Sequence, residues 1–372
     1  MARHLGSLIV VSLGIAACSA KSGGIGIDAA TDASALTGAC TPPADMNAPF
    51  AKLSQTGCVD PNDPTKLASI VTSYEVNSPL WSDGADKERG FVLPAGAKIH
   101  VKDCATPSAE CTQGAQDTGK WVMPVGTVMV KTFMFDGKRV ETRLLVHADA
   151  ATWNGYSYQW NEAQTDATIV PDDRVETTFD TGQRSVDWHF PNRFDCTTCH
   201  TLSAGGTLGP ETRQMNRAVG GMNQIDRWKT AGLFEGAGPP TPYQAALVLP
   251  YDGQLGTVPA DATTEARARS YLHANCAYCH RPDGDFAAMD LRFDTPLANM
   301  GVCNVAPMKS DLGVTGAFVL TPGMPMASIL WLRMHSPRID EKTRMPQLAT
   351  YVVDDAAVGL VADWITSITA CP

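Results

Sequence analysis

Charge and aromatic residues are scarce in this 372-residue chain, at 18% and 7%. Basic residues are the scarcer kind: 29 Lys and Arg stand against 39 Asp and Glu, a formal net charge of −10. That deficit argues against a nucleic-acid partner and leaves no polybasic patch for lipid headgroups. Long apolar runs are missing as well. The best, residues 8–17, is too short to span a bilayer as a helix, so no transmembrane span is expected. Disorder is excluded too, because 44% of residues are hydrophobic and the length suits two ordinary domains.

Cysteine, by contrast, is plentiful, with eleven residues. Four of them form two copies of one pattern, Cys196-Thr197-Thr198-Cys199-His200 and Cys276-Ala277-Tyr278-Cys279-His280. Random placement would give such a pattern on the order of 0.007 times in a chain with these Cys and His frequencies, so two copies are signal. C-x-x-C-H is the attachment pattern for c-type haem: two thiols add across the haem vinyl groups, and the neighbouring imidazole is an axial ligand to the iron. Two covalently attached haems are therefore expected, on Cys196 and Cys199 and on Cys276 and Cys279, with His200 and His280 as iron ligands. The plainer alternatives are a disulfide beside a histidine, or a zinc site.

Residues 1–18 look like an export signal. Arg3 and His4 precede the apolar run, which ends Leu13-Gly14-Ile15-Ala16-Ala17-Cys18 and resembles a bacterial lipobox. Cys18 is then the lipidated N-terminus; the alternative is ordinary cleavage after small residues. Residues 19–40 contain little to bury and read as a tether with a root-mean-square reach of about 25 Å. Ser19 is not an aspartate-type retention signal, so the expected location is extracytoplasmic, lipid-anchored in the outer membrane or periplasmic.

Setting aside Cys18 and the four pattern cysteines leaves six. In an oxidising compartment these suggest three disulfides, and the expected pairs are Cys40–Cys58, Cys104–Cys111 and Cys303–Cys371. Buried free thiols are the other possibility.

Residues 41–187 read as strands and turns. β-Branched and aromatic runs such as Val128 to Phe135 are punctuated by Pro94-Ala95-Gly96, Pro124-Val125-Gly126 and Asp136-Gly137, the last a hairpin signal. Trp153, Tyr156, Tyr158 and Trp160 alternate, as core packing or as a pocket lining. Beyond residue 187 helices and loops are expected, with a first haem region at 188–262 and a second haem domain at 263–372. Thr263 or Thr264 can cap a helix that ends at Cys276. Asp354 or Asp355 can cap another with an apolar stripe at Val358, Val361, Ile365 and Ile368. This pair of helices resembles the class I cytochrome c fold. The expected fold class is thus α+β multidomain: an N-terminal all-β, sandwich-like module followed by a mainly α cytochrome c-type haem region.

The same resemblance points to Met345, before Pro346, as the sixth ligand of the second haem, since proline favours an extended residue before it on a loop. Met324, Met326, Met334 and His335 compete. For the first haem the candidates are Met215 or Met222, with His147, His189 or an open position as alternatives.

Several strings in order along the chain, Pro79-Leu80-Trp81-Ser82-Asp83-Gly84-Ala85, Gly126-Thr127-Val128-Met129-Val130-Lys131-Thr132-Phe133, Glu141-Thr142-Arg143-Leu144-Leu145, Gln164-Thr165-Asp166-Ala167, Ala274-Asn275-Cys276 and Arg344-Met345-Pro346, are similar to an uncharacterised family of bacterial dihaem c-type cytochromes. The family has Leu at the position of Met215. The resemblance implies a β-rich module and two haems; it implies no substrate. Two function classes follow: electron transfer between periplasmic or cell-surface redox proteins, or a dihaem peroxidase- or oxygenase-type enzyme with an open position on the first haem.

Overall fold

Strand order begins with turn chemistry. Asp136 and Gly137 both adopt positive φ, 51° and 79°, the conformation that closes a two-residue hairpin with the right twist. The computed structural model describes residues 39–372 apart from 107, 112–116, 174, 252–257, 285, 337–342 and 349. Cys18, the signal segment and nearly all of the tether lie outside the described residues. Thr37–Pro372 forms one compact unit.

In chain order the strands are β1 (Thr72–Ser73), β2 (Asp86–Val92), β3 (His100–Val101), β4 (Trp121–Val122), β5 (Val128–Phe135), β6 (Lys138–Asp149), β7 (Thr152–Trp160), β8 (Ala167–Ile169), β9 (Val175–Asp180), β10 (Ser185–Phe190), β11 (Ala218–Val219) and β12 (Met222–Asn223). One antiparallel sheet runs β1-β2-β5-β6-β7-β8, and β3–β4, β9–β10 and β11–β12 are two-stranded ribbons.

The two faces of this sheet differ. On one, Val92, Val128 and Val146 align across strands, as do Val130, Leu144 and Tyr156. They pack on Leu53 and the Cys40–Cys58 disulfide. Each such buried side chain contributes roughly 1.5–3 kcal/mol. On the other face, Phe91, Met129 and Leu145 join Trp121, Trp228 and Phe234 at one end, and Phe133 joins Trp188 and Phe190 at the other. Between these apolar ends lies a charged row, Arg89 opposite Lys131 and Lys131 opposite Arg143.

The helices are α1 (Arg193–Cys199), α2 (Thr212–Met215), α3 (Gln224–Thr230), α4 (Thr264–Asn275), α5 (Ile329–His335) and α6 (Asp355–Ser367). Thr263 caps α4 by accepting from Ala266 N at 3.1 Å. Asp354 caps α6 by accepting from Ala357 N at 3.1 Å. Tyr271 and Leu272 of α4 pack with Val361, Trp364 and Ile365 of α6. Disulfides also join Cys104–Cys111 and Cys303–Cys371.

Two parts of the expected fold class are corrected. The β module is one principal sheet with ribbons rather than a sandwich, because its second face is covered at one end by the β9–β10 ribbon and at the other by Trp121 of β4, α3 and Phe234. The later half is not a mainly α cytochrome c-type region. Only α4 and α6 exceed seven residues among the described residues, and long irregular stretches separate the helices. Pro239, Pro240, Pro242, Pro250 and Pro259 fall between α3 and α4, where a helix cannot propagate through them. Among the described residues no helix is long and apolar enough to cross a membrane.

Candidate functional site

The first Cys-x-x-Cys-His pattern lies on α1. Asn192 caps this helix: its side chain accepts from Asp195 N at 2.9 Å, and the Asp195 carboxylate accepts from Asn192 N at 3.2 Å. Asp195, next to Cys196, also meets His189 Nε2 at 3.1 Å. α1 lies so close to β7 that a Cβ on Gly155 would collide with Cys196 Sγ, so glycine is required there.

His200 follows the helix, and its Nδ1–H donates to the Gly206 carbonyl at 2.5 Å. That bond selects the tautomer whose Nε2 lone pair is free to bind a metal. Burial pushes the imidazole pKa down to about 4, so the ring is neutral at pH 7. Gly206 itself has φ of +73°, and a Cβ on it would strike Trp153.

The second pattern is carried by the C-terminal end of α4. Cys276 N donates to Leu272 O at 2.9 Å, and His280 N to Cys276 O at 3.0 Å. Burial lowers the His280 pKa, while the Phe286 backbone acts in the opposite sense. No well-formed hydrogen bond reaches its buried Nδ1. Asn275, just before the pattern, accepts from Trp81 N at 2.7 Å. Tyr278 and Arg281 bond to the Leu208 and Ser203 carbonyls, on the loop that follows the first pattern.

These contacts bring the two patterns together: the side chains of Cys199 and Cys279 hydrogen-bond to each other. The four pattern cysteines form no disulfide, whereas Cys40, Cys58, Cys104, Cys111, Cys303 and Cys371 are all paired in disulfides. Burial raises the Cys196 thiol to about 11 and Cys276 to about 12. The bond to Cys279, followed by burial, raises Cys199. Protonated thiols are poor metal ligands and poor spontaneous nucleophiles.

Cys196, Cys199, His200, Cys276 and His280 are only partly covered in surface terms. Yet desolvation is the largest influence on Cys196, His200, Cys276 and His280.

The expectation of a metal-binding haem-iron group is corrected at the level of the protein's own side chains. Among the described residues, no three His, Cys, Asp or Glu converge as a cluster that could hold a metal ion. The physical reason is that each pattern offers one imidazole beside protonated thiols. The same finding disfavours the zinc alternative, and neither pattern contains a disulfide.

Met215 is fully buried with Trp121 and Trp228, and its sulfur faces Gln224 Nε2 at 3.7 Å. Met222 is exposed on β12. His147 stacks on Trp153, with ring centres 4.2 Å apart. Met345 N donates to Arg333 O at 3.0 Å, and the Arg333 charge is felt by His280, so Met345 is tied to the surroundings of the second pattern. Met334 is buried in the α4–α6 core, Met324 and Met326 are exposed, and His335 stacks on Trp331.

Sequence reasoning missed Gly206, the Asp83 strap and the cationic row. Asp83 accepts from Tyr351 N and Val352 N, each at 2.9 Å, and Trp81 Nε1 donates to Val352 O at 3.0 Å. The string 79–85 was visible, but its partner loop was not. No family model, curated protein or solved structure matches the chain.

Proposed function

We propose that the protein is a dihaem c-type cytochrome that transfers electrons between extracytoplasmic redox partners. One observation carries this reading. Six of the described cysteines form disulfides, the four that do not are those of two Cys-x-x-Cys-His patterns, and these meet through Cys199 and Cys279. The donor set fits. Each pattern supplies two thiols that would form thioether bonds and one neutral imidazole that would bind iron, and a haem brings its own nitrogen donors, so it would need no three-residue protein cluster.

Cys196, Cys199 and His200 would hold one haem, and Cys276, Cys279, His280 and Met345 the other. When bound, these groups supply one-electron exchange between ferrous and ferric iron. The chain's own part is positional. Gly206 O orients the His200 ring, α4 and Asn275 fix the second pattern, and Tyr278 and Arg281 clamp it to the first. The contact at Cys199 and Cys279 places the two attachment points side by side, as a relay within one fold requires.

A second reading, a dihaem peroxidase- or oxygenase-type enzyme, draws on Met215 being engaged in the core and Met222 being exposed, which counts against both methionines expected for the first haem. Visible and paramagnetic resonance spectra of each oxidation state separate the two. Two low-spin haems support the carrier, and one high-spin haem the enzyme. Mass spectrometry of protein matured with a c-type haem system should show two haem additions; one or none would overturn both readings. We further propose that Cys18 carries a lipid that anchors the protein to the outer membrane. Wholly soluble wild-type protein with its N-terminus beyond residue 18 would refute that anchor.

A further inference from the structure

We propose that Arg89, Lys131 and Arg143, with Lys87 beside them, form a carboxylate receptor, and that the carboxylates it takes are the propionates of the haem on the first pattern. This rests on the dihaem reading. The cross-strand register puts Arg89 opposite Lys131 and Lys131 opposite Arg143, three cations in one row on β2, β5 and β6. Lys87 lies on the same face, two residues before Arg89. Like charges directly opposed on neighbouring strands repel, and inside a fold they persist only with counter-charges.

Among the described residues one carboxylate pairs directly with these cations, while Asp83 and Asp86 act on Lys87, and Glu75 on Arg89, through their charge alone. Arg143 is paired bidentately with Glu141, at 2.7 and 2.8 Å, and Glu141 also accepts from Trp188 Nε1. Lys87 Nζ reaches only the Ala85 carbonyl, at 2.8 Å, and Arg89 the Lys87 carbonyl, at 3.4 Å. Lys131 Nζ sits 4.9 Å from the centre of the Phe133 ring. Among the described residues no other carboxylate forms an ion pair with the four. Burial, and then mutual repulsion, depress the Lys131 pKa strongly and bring Lys87 to about 7. Two further negative charges would match the two cations of the three-residue row that Glu141 leaves unpaired, and a haem carries two propionates.

The row also lies in the right place. Arg143 is close enough to Cys196 and Cys199 to feel their charge, and His200 feels both Lys131 and Arg143. At its other end Arg89 feels Tyr278 of the second pattern. Lys131 and Arg143 are only partly covered, and, as for the pattern residues, desolvation is still the largest influence on each.

The same chemistry could be met by free anions from solution, so the test separates the two sources. Protein matured on 5-aminolaevulinate labelled with 13C at its carboxyl carries the label in its haem propionates. With Lys131→Gln, the labelled carboxylate bands in the redox-difference infrared spectrum should shift. One haem's ferrous-to-ferric ratio should fall about tenfold at fixed potential, equivalent to about 59 mV. Lys131→Arg should restore both.

Thermal stability of the loaded protein gives an independent reading. Lys131→Gln should lower it if an anion balances the row, and raise it if the cations only repel one another, which would overturn the proposal. Labelled bands that ignore the substitution, together with a wild-type potential that responds to added acetate at constant ionic strength, would assign the row to free anions and also overturn it. Protein with no covalent haem would sink the dihaem reading itself. Two haems with unresponsive propionates would sink this inference alone.

Discussion

The same five-residue pattern is supported in two unlike ways. At the first site a seven-residue helix, held by the Asn192–Asp195 capping box, rests on a β-strand at Gly155, and the histidine is oriented by a backbone carbonyl at 2.5 Å. At the second a twelve-residue helix packed on α6 delivers the cysteines, and the buried His280 Nδ1 has no well-formed hydrogen bond. The pattern is thus a unit of chemistry and not a unit of fold. A local sequence can specify which atoms react, while distant segments decide how rigidly they are held.

The sharpest way to break this comparison is to remove one attachment site. Cys276→Ala or Cys279→Ala should change the covalent mass at the second pattern and leave the first haem addition intact. Loss of both additions would mean that the two supports are interdependent. Next in size, Met345→Ala should abolish one thioether-to-iron charge-transfer band in the near infrared and lower that haem's potential, whereas Met334→Ala, in the core, should leave the band unchanged. If the two variants behave the other way round, the methionine facing His280 has been misassigned.

A smaller effect is expected at the carbonyl that steers His200. Gly206→Val forces a branched side chain into positive φ and against Trp153, so thermal unfolding should show a loss of about 1–3 kcal/mol from the backbone alone. The spectrum of the first haem should broaden and the second should not. Equal disturbance of both would erase the distinction between the sites.

The least effect concerns Glu211, whose carboxylate meets His273 Nε2 at 2.9 Å. Burial opposes its ionisation, but the charge and hydrogen bond of His273 prevail and bring its pKa to about 2, against 4.5 for an unperturbed Glu. A depressed carboxylate contributes stability that is fully present above pH 4.5 and is lost as pH falls towards 2. Glu211→Gln should therefore flatten the acid limb of the stability curve between those values. An unchanged limb would show that the pair contributes nothing.

What was legible in the sequence was mostly local. Asp136-Gly137 announced its hairpin, Thr263 and Asp354 announced α4 and α6, and the two patterns announced themselves. The sandwich and the mainly α second half were misread because the cover of the sheet comes from segments with no periodicity, such as 40–59 and 188–234. α1, Arg-Phe-Asp-Cys-Thr-Thr-Cys, is too short to show an apolar stripe. The cationic row could not be read at all, because positions 89, 131 and 143 become neighbours only once the register of three strands is known.

Asp83 reaches the backbone of Tyr351 and Val352 across separations of 268 and 269 residues. A contact between such distant points is slow to form, since closure entropy must be met before the hydrogen bonds return anything. It also needs residues that follow both patterns in the chain. If the patterns attach haem as proposed, each is present for a period in which the fold has not yet been drawn shut around it. The strap is in this sense a timer written into topology, and a fragment ending before Tyr351 would never set it.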